Sequence, residues 1–168
     1  MAIEDLGLDF FSLDKTYMSL RYRPDGVINV EVALGNIVVF VEVDERGHNT
    51  SDSSYELPKD ENRMVALKNE AMTESSVKGV VFIRVNTGEL KDVYLPQIET
   101  VKEVLEGILS DDNETKGCHV HYIDYKEDDD HVQEARKKKY EFNVKTYHTK
   151  NFNPKVSRIC TNADNENR

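Results

Sequence analysis

Residues 23–48 read RPDGVINVEVALGNIVVFVEVDERGH, and their pattern sets the fold. Gly26 to Val32 alternates weakly, Ala33-Leu-Gly-Asn36 has the chemistry of a turn, and Ile37 to Val41 is an unbroken β-branched and aromatic run. Such a run predicts a strand buried on both faces, paired with its predecessor in an antiparallel hairpin centred near Leu34-Gly35. Folding at that point carries Asp25 back to Glu42 and Asp44, at the neighbouring-strand spacing of roughly 5 Å. Glu42 and Asp44 are two apart and share one face of their strand. Asp25, Glu42, Asp44, Glu45 and His48 thus gather at strand ends, where carboxylates and an imidazole suit a hard divalent cation. Asp44-Glu-Arg-Gly-His48 by itself also reads as a polar loop after a buried strand. The Arg-Pro-Asp partner tips the balance towards a site.

The order of these pieces resembles the PD-(D/E)XK nuclease superfamily. Pro24-Asp25 stands for its first motif and Glu42-Val43-Asp44 for its second. The local pattern is closest to the very-short-patch-repair-like and homing-type endonucleases of large DNA viruses. Arg23-Pro24-Asp25, a histidine six residues after Glu42, Tyr55, Asp60-Glu-Asn-Arg63-Met64 and Ile83-Arg84-Val85-Asn86 look like theirs. The resemblance covers roughly residues 19 to 87. It implies a restriction-endonuclease-like core, a viral origin and, since related junction and nicking enzymes are often dimers, a homodimer. One position departs from it: the superfamily has lysine where this chain has Asp44, and the histidine variant gives the base role to imidazole.

The chemistry implied is metal-dependent hydrolysis of DNA. Mg²⁺ neutralises charge on a phosphate, keeps several waters and takes only one or two protein carboxylates. Asp25 and Glu42 would be those ligands, Asp44 would hold a second ion or a metal-bound water, and His48 would be the general base. Oxygen donors with one histidine favour Mg²⁺ or Mn²⁺ over Zn²⁺. Arg23, Arg63, Arg84 and Asn86 are the expected contacts to nucleic acid. Arg63 could equally pair with Asp60, one turn earlier on its helix.

The 168 residues predict one domain over 1–158, with a disordered tail over 159–168. No apolar run approaches the roughly 20 residues of a membrane span. Met1 to Leu6 lacks the character of a signal peptide. Cys118 and Cys160 stand far apart, as reduced thiols of a cytoplasmic or nuclear protein do. The net charge of −10 opposes binding to phosphates. Its distribution is uneven: residues 1–130 carry 13 Lys+Arg against 28 Asp+Glu, and residues 131–168 carry 9 against 4. The basic share includes Arg136, Lys137, Lys138 and Lys139, interleaved with Tyr140, Phe142, Tyr147 and Phe152, a mixture suited to a polyanion and equally to a solvated strand and tail.

Elsewhere, spacing predicts a helix over 3–17, a short strand over 19–23, a helix over 56–72 and a strand over 77–85. A helix over 95–109, a strand over 119–125, a short helix over 131–139 and a strand over 140–148 follow. His119 and His121 share a strand face with no third metal ligand evident and read as surface residues. This order predicts an α/β (α+β) three-layer sandwich with a mixed central β-sheet flanked by helices. Two functions stay open: a Mg²⁺- or Mn²⁺-dependent DNA endonuclease, or a nuclease fold that no longer cleaves and serves as a binding module. RNA is a third, weaker substrate expectation.

Overall fold

The computed structural model describes residues 11–13, 24–32, 35–45, 57–88, 95–110 and 116–149. The chain runs β1 (Phe11–Leu13), β2 (Gly26–Val32), β3 (Gly35–Glu45), α1 (Leu57–Ala71), β4 (Val77–Gly88), α2 (Leu95–Ser110), β5 (Gly117–Ile123), α3 (Asp130–Lys137) and β6 (Asn143–Tyr147). The six strands form one sheet in chain order. β1, β2 and β3 pair antiparallel, and β3, β4, β5 and β6 pair parallel. Each parallel step needs a crossover, and α1, α2 and α3 supply them.

The sheet divides two cores. Val38, Phe40, Val80, Phe82, Val120 and Tyr122 face Met64 and Leu67 of α1 and Val132 and Ala135 of α3. Ile37, Val39, Val41, Val81, Ile83 and Val85 face Ile98, Val101 and Leu105 of α2. Three layers result, and β3 and β4 are buried on both sides, which is why their sequences run apolar without alternation. An irregularity between Asn36 and Ile37 lets Gly79, not Lys78, pair with Ile37. It accounts for Val77 and Val80 both facing α1. Cys118 is a free thiol in the α1 core, where burial pushes its pKa up to about 12.

Most predicted elements stand within a few residues of expectation. One is corrected. The helix expected over 3–17 does not run through 11–13, where Phe11–Leu13 lies in register with Ile28, Val27 and Gly26. The open edge of β2 offers unpaired backbone groups, and pairing there outweighs an apolar spacing already interrupted by Gly7. The expected strand at 19–23 and the tail at 159–168 lie outside the described residues.

The β2–β3 turn needs glycine at one position. Gly35 has φ of +140°, and a Cβ there would stand 2.6 Å from both the Ser76 carbonyl oxygen and Lys78 Cγ. That carbonyl accepts a hydrogen bond from the Asn36 amide at 2.7 Å, which holds it close. Gly117 has φ of +90° with nothing near its absent Cβ. Gly35→Ala should therefore cost roughly 2–4 kcal/mol in denaturant unfolding, against about 1 kcal/mol for Gly117→Ala. Equal losses would refute the close approach at Gly35.

Candidate functional site

The hairpin register places the first two carboxylates. Gly26 pairs with Val41 in the last rung of the β2–β3 ladder, so Asp25 and Glu42 are the next residues out on the two strands. The Val43 amide donates to Asp25 Oδ2 at 2.6 Å, which ties the start of β2 to the end of β3. Asp25 is exposed and Pro24 before it is buried.

Glu42 follows Val38 and Phe40 on the α1 face. Its carboxylate lies 2.8 Å from the Arg63 guanidinium of α1, and its side chain is 12% exposed. Burial pushes the Glu42 carboxyl up to about 8. Arg63 opposes that rise, Asp25 adds to it, Arg84 opposes it and Asp44 adds to it. Arg63 thus reaches across elements to the expected ligand, where sequence spacing offered Asp60.

Asp44 projects to the same face and is buried. Arg84 Nε and Nη2 donate to its two oxygens at 2.9 and 2.8 Å, a two-pronged ion pair. The Tyr125 hydroxyl also donates to Asp44 Oδ2. Burial first, and then the Asp44 charge, raise the Tyr125 pKa well above its ordinary value. Parallel register sets Arg84 beside Glu42 and Asn86 beside Asp44, and the Arg84 guanidinium lies 5.9 Å from the centre of the Tyr122 ring. Arg84 is only 2% exposed, so it meets Asp44 and the tyrosines, not a surface phosphate.

Further along the sheet end, Asp124 adopts φ of +61° after β5. Its buried carboxylate accepts from Gln97 Nε2 at 2.8 Å and from the Thr149 amide and hydroxyl at 2.7 and 2.6 Å. Asn86 Nδ2 donates to the Asp124 carbonyl at 3.2 Å, and Asn86 Oδ1 accepts from the Gly88 amide. Asn86 therefore braces the β4 end against β5. Sequence reasoning missed Asp124, Tyr125 and Gln97. The signals were an Asp-Tyr pair closing an alternating strand and one amide within the apolar stripe of α2. It also missed Glu61 on α1 and His131 on α3, which face each other at 3.5 Å with both side chains buried.

Arg23 and His48 lie outside the described residues. Lys137 pairs with Glu134, Lys138 reaches Asn62 Oδ1 at 3.4 Å and Lys139 lies over the Tyr140 ring. These partners are not the strand-end carboxylates. His121, expected at the surface, is buried at 6% exposure, because α2 and Tyr147 of β6 cover its strand face.

Among the described residues no three His, Cys, Asp or Glu side chains converge as a metal-binding group. Asp25 and Glu42 occupy the positions next beyond the Gly26–Val41 rung, close enough for the Asp25 charge to act on Glu42.

Two outcomes follow from this geometry. Arg84→Ala leaves the Asp44 carboxylate buried without its cation and should cost roughly 3–5 kcal/mol of unfolding free energy; a near-neutral result would mean that the pair does not hold the β3–β4 ends together. For Glu42, the folded chain keeps a proton between pH 4.5 and 8 that the unfolded chain releases, so stability falls as pH rises through that window. Denaturation at pH 5 and pH 8 should show wild type losing roughly 2–4 kcal/mol more than Glu42→Gln over that interval. Parallel losses would place the Glu42 carboxyl in water.

No protein-family model, curated protein or solved structure matches the chain.

Proposed function

We propose that the chain is a metal-dependent endonuclease hydrolysing DNA phosphodiester bonds, with Asp25 and Glu42 as the ligands of one Mg²⁺ or Mn²⁺ ion. The observation that carries this reading is the placement of Asp25 and Glu42 at neighbouring positions at the open end of the β2–β3 hairpin. The three-stranded antiparallel meander, the crossover helix and the parallel fourth strand support a restriction-endonuclease-like core.

The ion would neutralise charge on the scissile phosphate and lower the pKa of a bound water. The chain's own residues do the rest. Arg63 holds the Glu42 carboxylate at the mouth of the site and, being partly exposed, can swing to a phosphate oxygen as substrate arrives. Asp44 fixes Arg84 beneath Glu42 and is not itself an ion ligand in this reading, since its two oxygens already accept from Arg84 and Tyr125. One fixed guanidinium thereby stands beside the second motif, near where the superfamily carries its lysine. His48, three residues past β3, takes the proton of the attacking water. Lys137, Lys138 and Lys139 supply salt-sensitive attraction for the backbone.

A second reading, a nuclease fold that binds without cutting, is favoured by one observation: Glu42 is already served by Arg63 and held protonated by burial. Nicking of supercoiled plasmid separates the two. With Mg²⁺ or Mn²⁺ the wild type should nick, and Asp25→Ala, Glu42→Ala and His48→Ala should each lose about 100-fold or more with unchanged circular dichroism. The same assay on single-stranded DNA and on RNA sets the substrate class. No cleavage of any form, with no calorimetric uptake of either ion, would leave the binding module.

A further inference from the structure

The sheet face opposite Glu42 carries a cavity of about 140 Å³ between α2, β5 and β6. Val81, Val104 and Ile108 give it an apolar, buried floor. Its rim carries one carboxylate, Glu103, and one ammonium, Lys145, both on exposed residues. Gly107 of α2 also borders it. Glycine is disfavoured inside a helix, yet a Cβ at this position would meet nothing within 4 Å, so the bare backbone leaves the opening clear. The volume is well below the roughly 300–1,000 Å³ of a site for a drug-sized ligand, which limits a guest to one small ring system. The Asp25–Glu42 pair sits at the strand ends on the α1 face, so the sheet separates the two places.

One wall of the cavity is a row of rings. His119 and His121 alternate with Val120 on β5 and so share a sheet face. Their rings lie at 25° with centroids 6.5 Å apart. Tyr147 of β6 continues the row, at 26° to His121 and 5.6 Å from it. Hydrogen bonds hold the three in place. His119 Nε2 donates to the Lys116 carbonyl oxygen at 3.1 Å, since a carbonyl only accepts. His121 Nδ1 and the Tyr147 hydroxyl lie 2.9 Å apart. Rings fixed in advance lose little freedom when a guest arrives. A flat guest lying parallel to the row stacks at the roughly 4.5–7 Å centroid spacing of aromatic pairs, and histidine and tyrosine are side chains on which nucleic-acid bases stack.

The rim decides among flat guests. A carboxylate accepts hydrogen bonds and an ammonium donates them, and a nucleobase edge presents both donors and acceptors, where a hydrocarbon ring presents neither. One charge of each sign leaves the rim balanced, which suits an uncharged guest. The carbonyl end of α2 adds negative potential, with no basic residue in its last turn to offset it, and this opposes a phosphate. We propose that the cavity binds a single uncharged nucleobase, free or as its nucleoside, stacked on the His119–His121–Tyr147 row with its polar edge turned to the Glu103 and Lys145 rim.

Titration of the full chain with adenine, cytosine, adenosine and adenosine 5′-monophosphate, followed by calorimetry and proton NMR, tests this. At least one of the two bases should bind, one per chain, with its ring protons moved upfield by the aromatic row. Adenosine binding as well as adenine assigns the site to nucleosides, and weaker adenosine binding assigns it to free bases. The monophosphate should bind more weakly than adenosine. His119→Ala should weaken the base by about fivefold or more, while His119→Phe, which keeps a flat ring, should retain it. Gly107→Leu should block uptake by filling the opening while leaving the ring row intact. His119 is half-buried and Gly107 exposed, so both variants keep the fold, which circular dichroism checks. Asp25→Ala should leave this binding unchanged. The proposal falls if neither base binds at millimolar concentration, if cyclohexanol binds as well as the bases, if the monophosphate binds more tightly than adenosine, or if His119→Ala and Gly107→Leu both bind as wild type does.

Discussion

β3 is buried on both faces as far as Val41 and then delivers two carboxylates, Glu42 and Asp44, into the α1 side of the same core. Everything at this end of the molecule answers that constraint. A charged group taken out of water is costly unless it is paired and hydrogen-bonded. Asp44 meets the requirement fully, with a two-pronged arginine and a tyrosine hydroxyl. Glu42 meets it in part, with Arg63 on one side and a carboxyl pushed towards its protonated form. The difference separates a carboxylate that is fully partnered from one that is only partly so.

That separation changes the place of Asp44 in the proposed nuclease site. As a sequence element it stands where a lysine is expected and carries the wrong charge for it. In the fold, Asp44 holds Arg84 beside Glu42, so the local positive charge comes from the neighbouring strand. Parallel pairing makes this possible, because Glu42 and Arg84 occupy the same rung of β3 and β4. The Asp124 network with Gln97, Thr149 and Asn86 then fixes the β4 and β5 ends from the α2 side.

Local patterns made much of this legible. The hairpin followed from one turn, and the buried runs of β3 and β4 and the apolar stripe of α2 gave their elements directly. A turn centred on Leu34-Gly35 would set Asp25 opposite Asp44; the ladder instead pairs Val32 with Gly35, and that one-residue shift sets Asp25 opposite Glu42. What stayed hidden depends on long-range pairing. No local rule says that β4 lies parallel to β3 with Arg84 opposite Glu42, or that Tyr125 reaches Asp44 across 81 positions. Phe11–Leu13 followed the open edge of β2 and not its own spacing. His121 alternates as a half-exposed residue would, and its burial is set by how far α2 and Tyr147 extend over β5.

The account rests on one ion bridging the two strands of the hairpin. Crystals of the protein soaked in Mn²⁺ and measured at the manganese absorption edge test it directly. The account predicts an anomalous peak between the Asp25 and Glu42 carboxylates, within about 2.0–2.3 Å of an oxygen of each, with Arg63 drawn off Glu42. Glu42 still paired with Arg63 and no manganese between the two carboxylates would contradict it.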